Sequence, residues 1–155
     1  MLYSILLLIH NAFRWLVVVS LLATLVSSYS GWLRPRTYRA SDQTIRDVAT
    51  SIVHTQLLIG FYLYFISPLV NYYWRFSPDA GEAPEFRFFS IIHISLMFTA
   101  VIVITVGSSL AKRKSMAHEK FKTTAIYFTL GLLLILIAVP WPFSPLATRP
   151  WTRLF

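Results

Sequence analysis

Four long apolar runs, separated by short polar stretches, dominate the chain. They cover residues 3–32, 48–70, 88–110 and 123–141, and each approaches or exceeds the ~20 residues that carry a helix across a bilayer core. Backbone polar groups in lipid need partners within their own segment, so the runs are predicted to be α-helices. Pro68 and Pro140 mark stops or kinks near the ends of the second and fourth helices, because proline cannot donate an amide hydrogen. Ser41 followed by Asp42 is expected to cap the second helix, and Ser115, with Glu119 nearby, an early start of the fourth. The first run has no basic leader and outlasts the apolar core of a signal peptide, so it is expected to be retained. Residues 142–155 carry three prolines and Trp151, and read as an interfacial tail rather than a fifth crossing.

Composition changes the picture from long helices to a different solvent. Of 155 residues, 56% are apolar and 13% charged, and the mean hydropathy is +0.61. A water-soluble fold of this size could not hide that much apolar surface. One all-α transmembrane domain, a four-helix up-down bundle in a lipid bilayer, is therefore expected. The chain has no cysteine. That excludes disulfides, thiolate metal sites, iron–sulfur clusters and covalent c-type haem attachment.

The net charge of +8 does not point to nucleic acid, because its carriers flank the crossings. Arg34, Arg36, Arg39 and Arg46 follow the first helix, while Lys112, Arg113, Lys114, Lys120 and Lys122 follow the third. The positive-inside rule makes that face cytoplasmic and puts both termini outside. Tyr29 and Trp32 suit the inner interface, and Tyr72, Tyr73, Trp74 and Trp141 the outer one.

All six acidic residues lie in loops or at helix ends, which counts against proton pumps and ion-coupled transporters that use buried carboxylates. The ionisable residues in the apolar runs are His10, Arg14, His54 and His93, with His118 just before the fourth. Histidine in lipid should face the bundle interior, and neutral imidazole is a common ligand for metals, haem iron included. At 1.5 Å of rise per residue, His10 lies about 10 Å and His93 about 9 Å from the outer ends of their helices. First and third helices are diagonal in an up-down bundle, so these two are the best candidate axial pair. His54 and His118 occupy the other diagonal, but their depths differ by about 12 Å. A second haem between them is attractive by symmetry and weak by geometry. Each histidine also reads as interhelical polar glue, and His118 as a surface residue.

Arg14 lies one turn below His10 on the same helical face. It reads either as the partner of a haem propionate or quinone oxygen, or as a side chain snorkelling to lipid phosphate. Asn11 is placed to hold the histidine neighbourhood together or to bond locally. Gly60, Ala100, Gly107 and Gly131 would allow close approach of helices or of a flat cofactor.

The strings His10-Asn11-Ala12-Phe13-Arg14-Trp15, His54-Thr55-Gln56-Leu57-Leu58-Ile59-Gly60, Arg87-Phe88-Phe89 with His93-Ile94-Ser95, and Pro140-Trp141-Pro142-Phe143 carry a resemblance. Over most of its length the chain resembles a group of small four-helix bacterial membrane proteins labelled cytochrome b-like. The resemblance implies haem b, ligand roles for His10, His54, His93 and His118, and membrane electron transfer; in a bacterial inner membrane the charge rule then makes both termini periplasmic. The expected function is thus a membrane b-type cytochrome with one haem or two. It would be a subunit of a larger respiratory or photosynthetic complex, linked to a quinone or another electron carrier. Its rival is a cofactor-free accessory subunit that stabilises such a complex. A small transporter or channel ranks below both.

Overall fold

The computed structural model describes residues 2–76, 84–145, 147 and 149. Those residues are helical throughout their regular parts: α1 (Leu2–Leu33), α2 (Ala40–Ile66), α3 (Pro68–Phe76), α4 (Pro84–Arg87), a π-helical turn (Phe88–Ile92), α5 (His93–Arg113) and α6 (Ala117–Ala138). Four stretches are long and apolar enough to cross a membrane, namely α1, α2, the run Pro84–Arg113 and α6. The tail residues Leu146, Thr148, Pro150 and Trp151 lie outside the described residues, as do Asp79 and Glu82 of the middle connection.

Helix α1 packs against α2 and α6, and α5 packs against α6 and α2, so α1 and α5 face each other across the bundle. Between them lies a core of Val17, Leu21 and Leu25, Ala49 and Val53, Ala100 and Ile104, and Phe128, Leu132 and Ile135. The outer faces are just as apolar. Val26 is 72% exposed and Leu58 69%, a surface that suits a lipid surrounding and would be a liability in water. The α5–α6 seam is the closest. A methyl group at Gly107 would collide with the Tyr127 Cβ, and one at Gly131 with the Ile104 side chain, so small residues set that helix spacing.

Helix ends depart from the expected ones in instructive ways. Helix α2 starts at Ala40, eight residues before the apolar run, and Asp42 sits in its first turn rather than at its cap. From there the carboxylate accepts the Arg39 N–H at 2.9 Å, the part a third-position acid plays in a capping box. Helix α6 starts early, as expected, but its cap is Met116, with no side-chain bond from Ser115. Pro68 follows the α2 C-cap Ser67 and opens α3, while α6 ends at Ala138, two residues before Pro140. The connection read as a loop from Asn71 to Arg87 thus contains the end of α3 and all of α4.

Charged side chains tie together the end bearing the two basic loops. Arg36 grips Asp42 with two bonds of 2.7 Å, and Ser27 on α1 donates a third at 2.7 Å. That pairing pushes the Arg36 guanidinium further above its already high ordinary value. Arg46, only 2% exposed, donates to the Tyr38 hydroxyl at 3.1 Å and to Asp47 at 3.0 Å. Lys112 of α5 reaches the same Asp47 at 3.2 Å. These arginines and aspartates are parts of a lock as well as topology signals.

Candidate functional site

At the opposite end, the start of α1 carries an unusual polar face into the bundle. His10, Asn11 and Arg14 line a cavity of about 190 Å³ together with His93, Gln56, Gly60, Tyr64 and a mostly apolar wall that includes Met97, Val101 and Val139. The cavity follows the α2–α5 seam, the loosest of the four. Its volume is below the ~300 Å³ at the lower end of pockets for drug-sized ligands.

His10 and His93 meet across the cavity. Their ring centroids are 6.5 Å apart with an interplanar angle of 69°. Two imidazole nitrogens each about 2 Å from a shared ion, with each ring centre about 1 Å further back, require a separation of roughly 6 Å. Local structure sets His93 in place. The π-helical turn precedes it directly, and its N–H donates to the Phe88 carbonyl five residues back. Its Nδ1 lies 2.8 Å from the Ala138 carbonyl at the end of α6. A carbonyl can only accept, so the proton sits on Nδ1 and the lone pair on Nε2. Phe88 and Phe89 hold the ring from the sides, at 5.8 and 5.9 Å.

His10 takes the same tautomer for a different reason. The Gln56 side-chain amide donates to the His10 backbone carbonyl at 3.0 Å and approaches its Nε2 at 3.4 Å. An amide nitrogen only donates, so Nε2 again holds the lone pair. Two buried polar atoms here have no hydrogen-bond partner among the described residues, His10 Nδ1 and Gln56 Oε1. Such atoms are costly, and functional sites are where native structures keep them. Gly60 allows the ring to approach: a Cβ there would lie 3.2 Å from His10 Cε1.

Arg14 is buried, 9% exposed, with its guanidinium 5.4 Å from the Trp15 ring centre and 5.6 Å from that of Trp141. It faces the cavity interior rather than reaching away to the lipid surface. Asn11 lines the same wall.

The other two histidines are arranged differently. His54 is exposed and pairs through Nε2 with the Thr105 hydroxyl at 2.8 Å. That hydroxyl donates to Val101, so it accepts from His54, whose Nε2 then carries the proton. His118 lies exposed in the first turn of α6. No ring contact joins His54 to His118, and no group of three or more metal-ligating side chains occurs, among the described residues. No known protein family, curated protein or solved structure matches this chain.

Sequence reasoning did not single out Gln56, the π-helical turn or Arg149, all of which shape this site. Gln56 was visible as a polar residue amid apolar neighbours; its target on α1 was not. The π turn leaves no compositional mark, and the reach of Arg149 back into the cavity lining depends on how the tail folds.

Proposed function

We propose that the chain is a membrane b-type cytochrome whose haem is held between His10 and His93. One observation carries the reading: two imidazoles of the same tautomer meet at ligation distance across an apolar cavity. The space left by Gly60 and the purely nitrogen donor set, with Nε2 of each histidine carrying the lone pair, fit such a group. Haem b would supply one-electron transfer there, with its potential tuned by ligands and burial.

The chain's own residues do the remaining work. The Ala138 carbonyl fixes the His93 ring and raises the basicity of its other nitrogen, as partners of ligating histidines do. Gln56 restrains the α1 backbone at His10, and its 3.4 Å contact with Nε2 is long enough to be given up readily. Arg14 places positive charge where an anionic edge of the occupant would lie. Apolar walls exclude water from the cavity.

In this reading the four long helices run up and down through a bacterial inner membrane, with both termini periplasmic and the nine-residue basic face cytoplasmic. Electrons would pass to or from a quinone or a protein carrier, within a larger respiratory or photosynthetic assembly. His54, bonded to Thr105, serves as polar glue between α2 and α5.

Protein purified from haem-replete cells should show a Soret band and split α and β bands on reduction. Replacing His10 or His93 by alanine should abolish that spectrum while leaving helix content unchanged. A colourless full-length preparation would instead support the accessory-subunit reading. A haem-to-protein ratio of one is expected; a ratio of two would bring His54 and His118 back as ligands.

A further inference from the structure

The turn that delivers His93 to the cavity is irregular, and something outside it must hold it against ordinary helical register. A regular helix pairs each carbonyl with the amide four residues on; a π turn reaches to the fifth, and such turns are rare and concentrate at functional sites. The turn's one polar side chain does not support it. Ser90 is 2% exposed, yet its Oγ has no hydrogen-bond partner among the described residues, where a helical serine can return its hydroxyl to a carbonyl one turn back. Upstream of the turn, Arg149 Nη2 donates to Glu85 of α4 at 2.9 Å. Both of those side chains are partly exposed, and ion pairs of that kind contribute little.

The support comes from the last turn of α2. The Tyr64 hydroxyl donates to the Ser90 carbonyl at 3.0 Å, the one side-chain hydrogen bond made to this turn's backbone among the described residues. Its direction is set from the other side. Trp74 of α3 donates its indole N–H to the same Tyr64 oxygen at 2.9 Å, which leaves the phenolic proton for Ser90. Tyr64 and His93 line the same cavity, so this brace stands at the wall of the site. His10 needs no such device, because it lies within α1 with regular helix on both sides.

We propose that Tyr64 is a positioning residue for His93, acting through the Ser90 carbonyl to hold the register at which the imidazole enters the cavity. This assignment rests on the haem reading above and deepens it. The Ala138 carbonyl orients the His93 ring but leaves the backbone beneath it free to shift. Tyr64 holds that backbone, so the two bonds together fix where the Nε2 lone pair points. Ligands held by such outer partners bind more tightly than ligands left to their own flexibility. Trp74 acts one step further out, by fixing the Tyr64 hydroxyl.

Hemin titration of the detergent-solubilised full chain and amide exchange of the unloaded chain test this separately. Tyr64→Phe keeps the ring and removes the hydroxyl. Its hemin affinity should fall about fivefold, the scale of one hydrogen bond, and part of the bound pigment should turn from low-spin to high-spin as His93 is lost as a ligand. Added imidazole should restore the low-spin spectrum, a rescue that a merely loosened bundle would not give. Trp74→Phe, at an exposed position, should shift affinity and spectrum in the same direction by about twofold. In the unloaded chain, the His93 N–H, which bonds within the turn, should exchange about fivefold faster in Tyr64→Phe, with amides in the middle of α5 unchanged. If both variants bind hemin with wild-type affinity and a fully low-spin spectrum, the positioning role is overturned while the haem site stands. If the wild type takes up no hemin, the haem reading fails, and unchanged His93 exchange in Tyr64→Phe would overturn the brace as well.

Discussion

The two ends of the bundle handle polar groups in opposite ways. At the basic-loop end, Asp42 accepts four hydrogen bonds, two from Arg36, one from Ser27 and one from the Arg39 backbone. Buried Arg46 is likewise shared between Tyr38 and Asp47. At the other end, His10 Nδ1 and Gln56 Oε1 are buried without partners among the described residues, beside a cavity that no neighbouring side chain fills. Satisfied polar networks rigidify a fold, whereas partly satisfied ones cost stability. The first end therefore looks built to hold helices together, and the second built to be completed by something else.

That contrast can be broken by exchanging what each end loses on mutation. Asp42→Ala should have the largest effect on stability. It strands Arg36, itself 32% exposed, and loosens the α1–α2 junction, at a cost of about 2 kcal/mol, the scale of hydrogen bonds to a charged group. Unfolding in detergent should show it, with pigment spectra of the folded fraction unchanged. Gly60→Ala should act the other way round. A methyl 3.2 Å from His10 Cε1 displaces the ring by a few tenths of an ångström, a strain of about 1 kcal/mol. Hemin titration should then weaken about fivefold, with the unfolding midpoint little changed. The smallest effect is expected for Thr105→Val, which removes the partner of His54. Polar pairs between membrane helices average about 0.6 kcal/mol, so stability should fall slightly and the spectrum not at all. Loss of pigment in that variant would move His54 from glue to ligand.

How much of this was legible beforehand differs between fold and site. Lengths of apolar runs and the positions of Pro68 and Pro140 located the four long helices, because lipid leaves the backbone few alternatives. Helix starts were harder. An aspartate at the third position of a helix and one at its cap look alike in sequence, and only the placement of Arg39 tells them apart. For the site, a fixed rise per residue was enough to match the depths of His10 and His93, whose rings do meet. The same measure left His54 and His118 mismatched, and they are not brought together. Tautomers were out of reach, since they depend on which carbonyl or amide a folded neighbour offers. So was the difference between an arginine that snorkels to lipid and one, like Arg14, turned inward under two indole rings.

The π-helical turn ahead of His93 has a consequence for how this chain can vary. It accommodates one residue more than an α-helical turn would over the same stretch. Straightening this turn to ordinary α geometry with all five residues kept would swing the upstream segment by about 100° relative to His93. Phe88 and Phe89 would leave the imidazole, and the α4 segment bearing Glu85 would be carried round the helix axis away from Arg149. Removing one residue here while the turn relaxes to α geometry would instead nearly keep that phase, so relatives of this chain can lose a single residue within these five positions but not elsewhere in the helix.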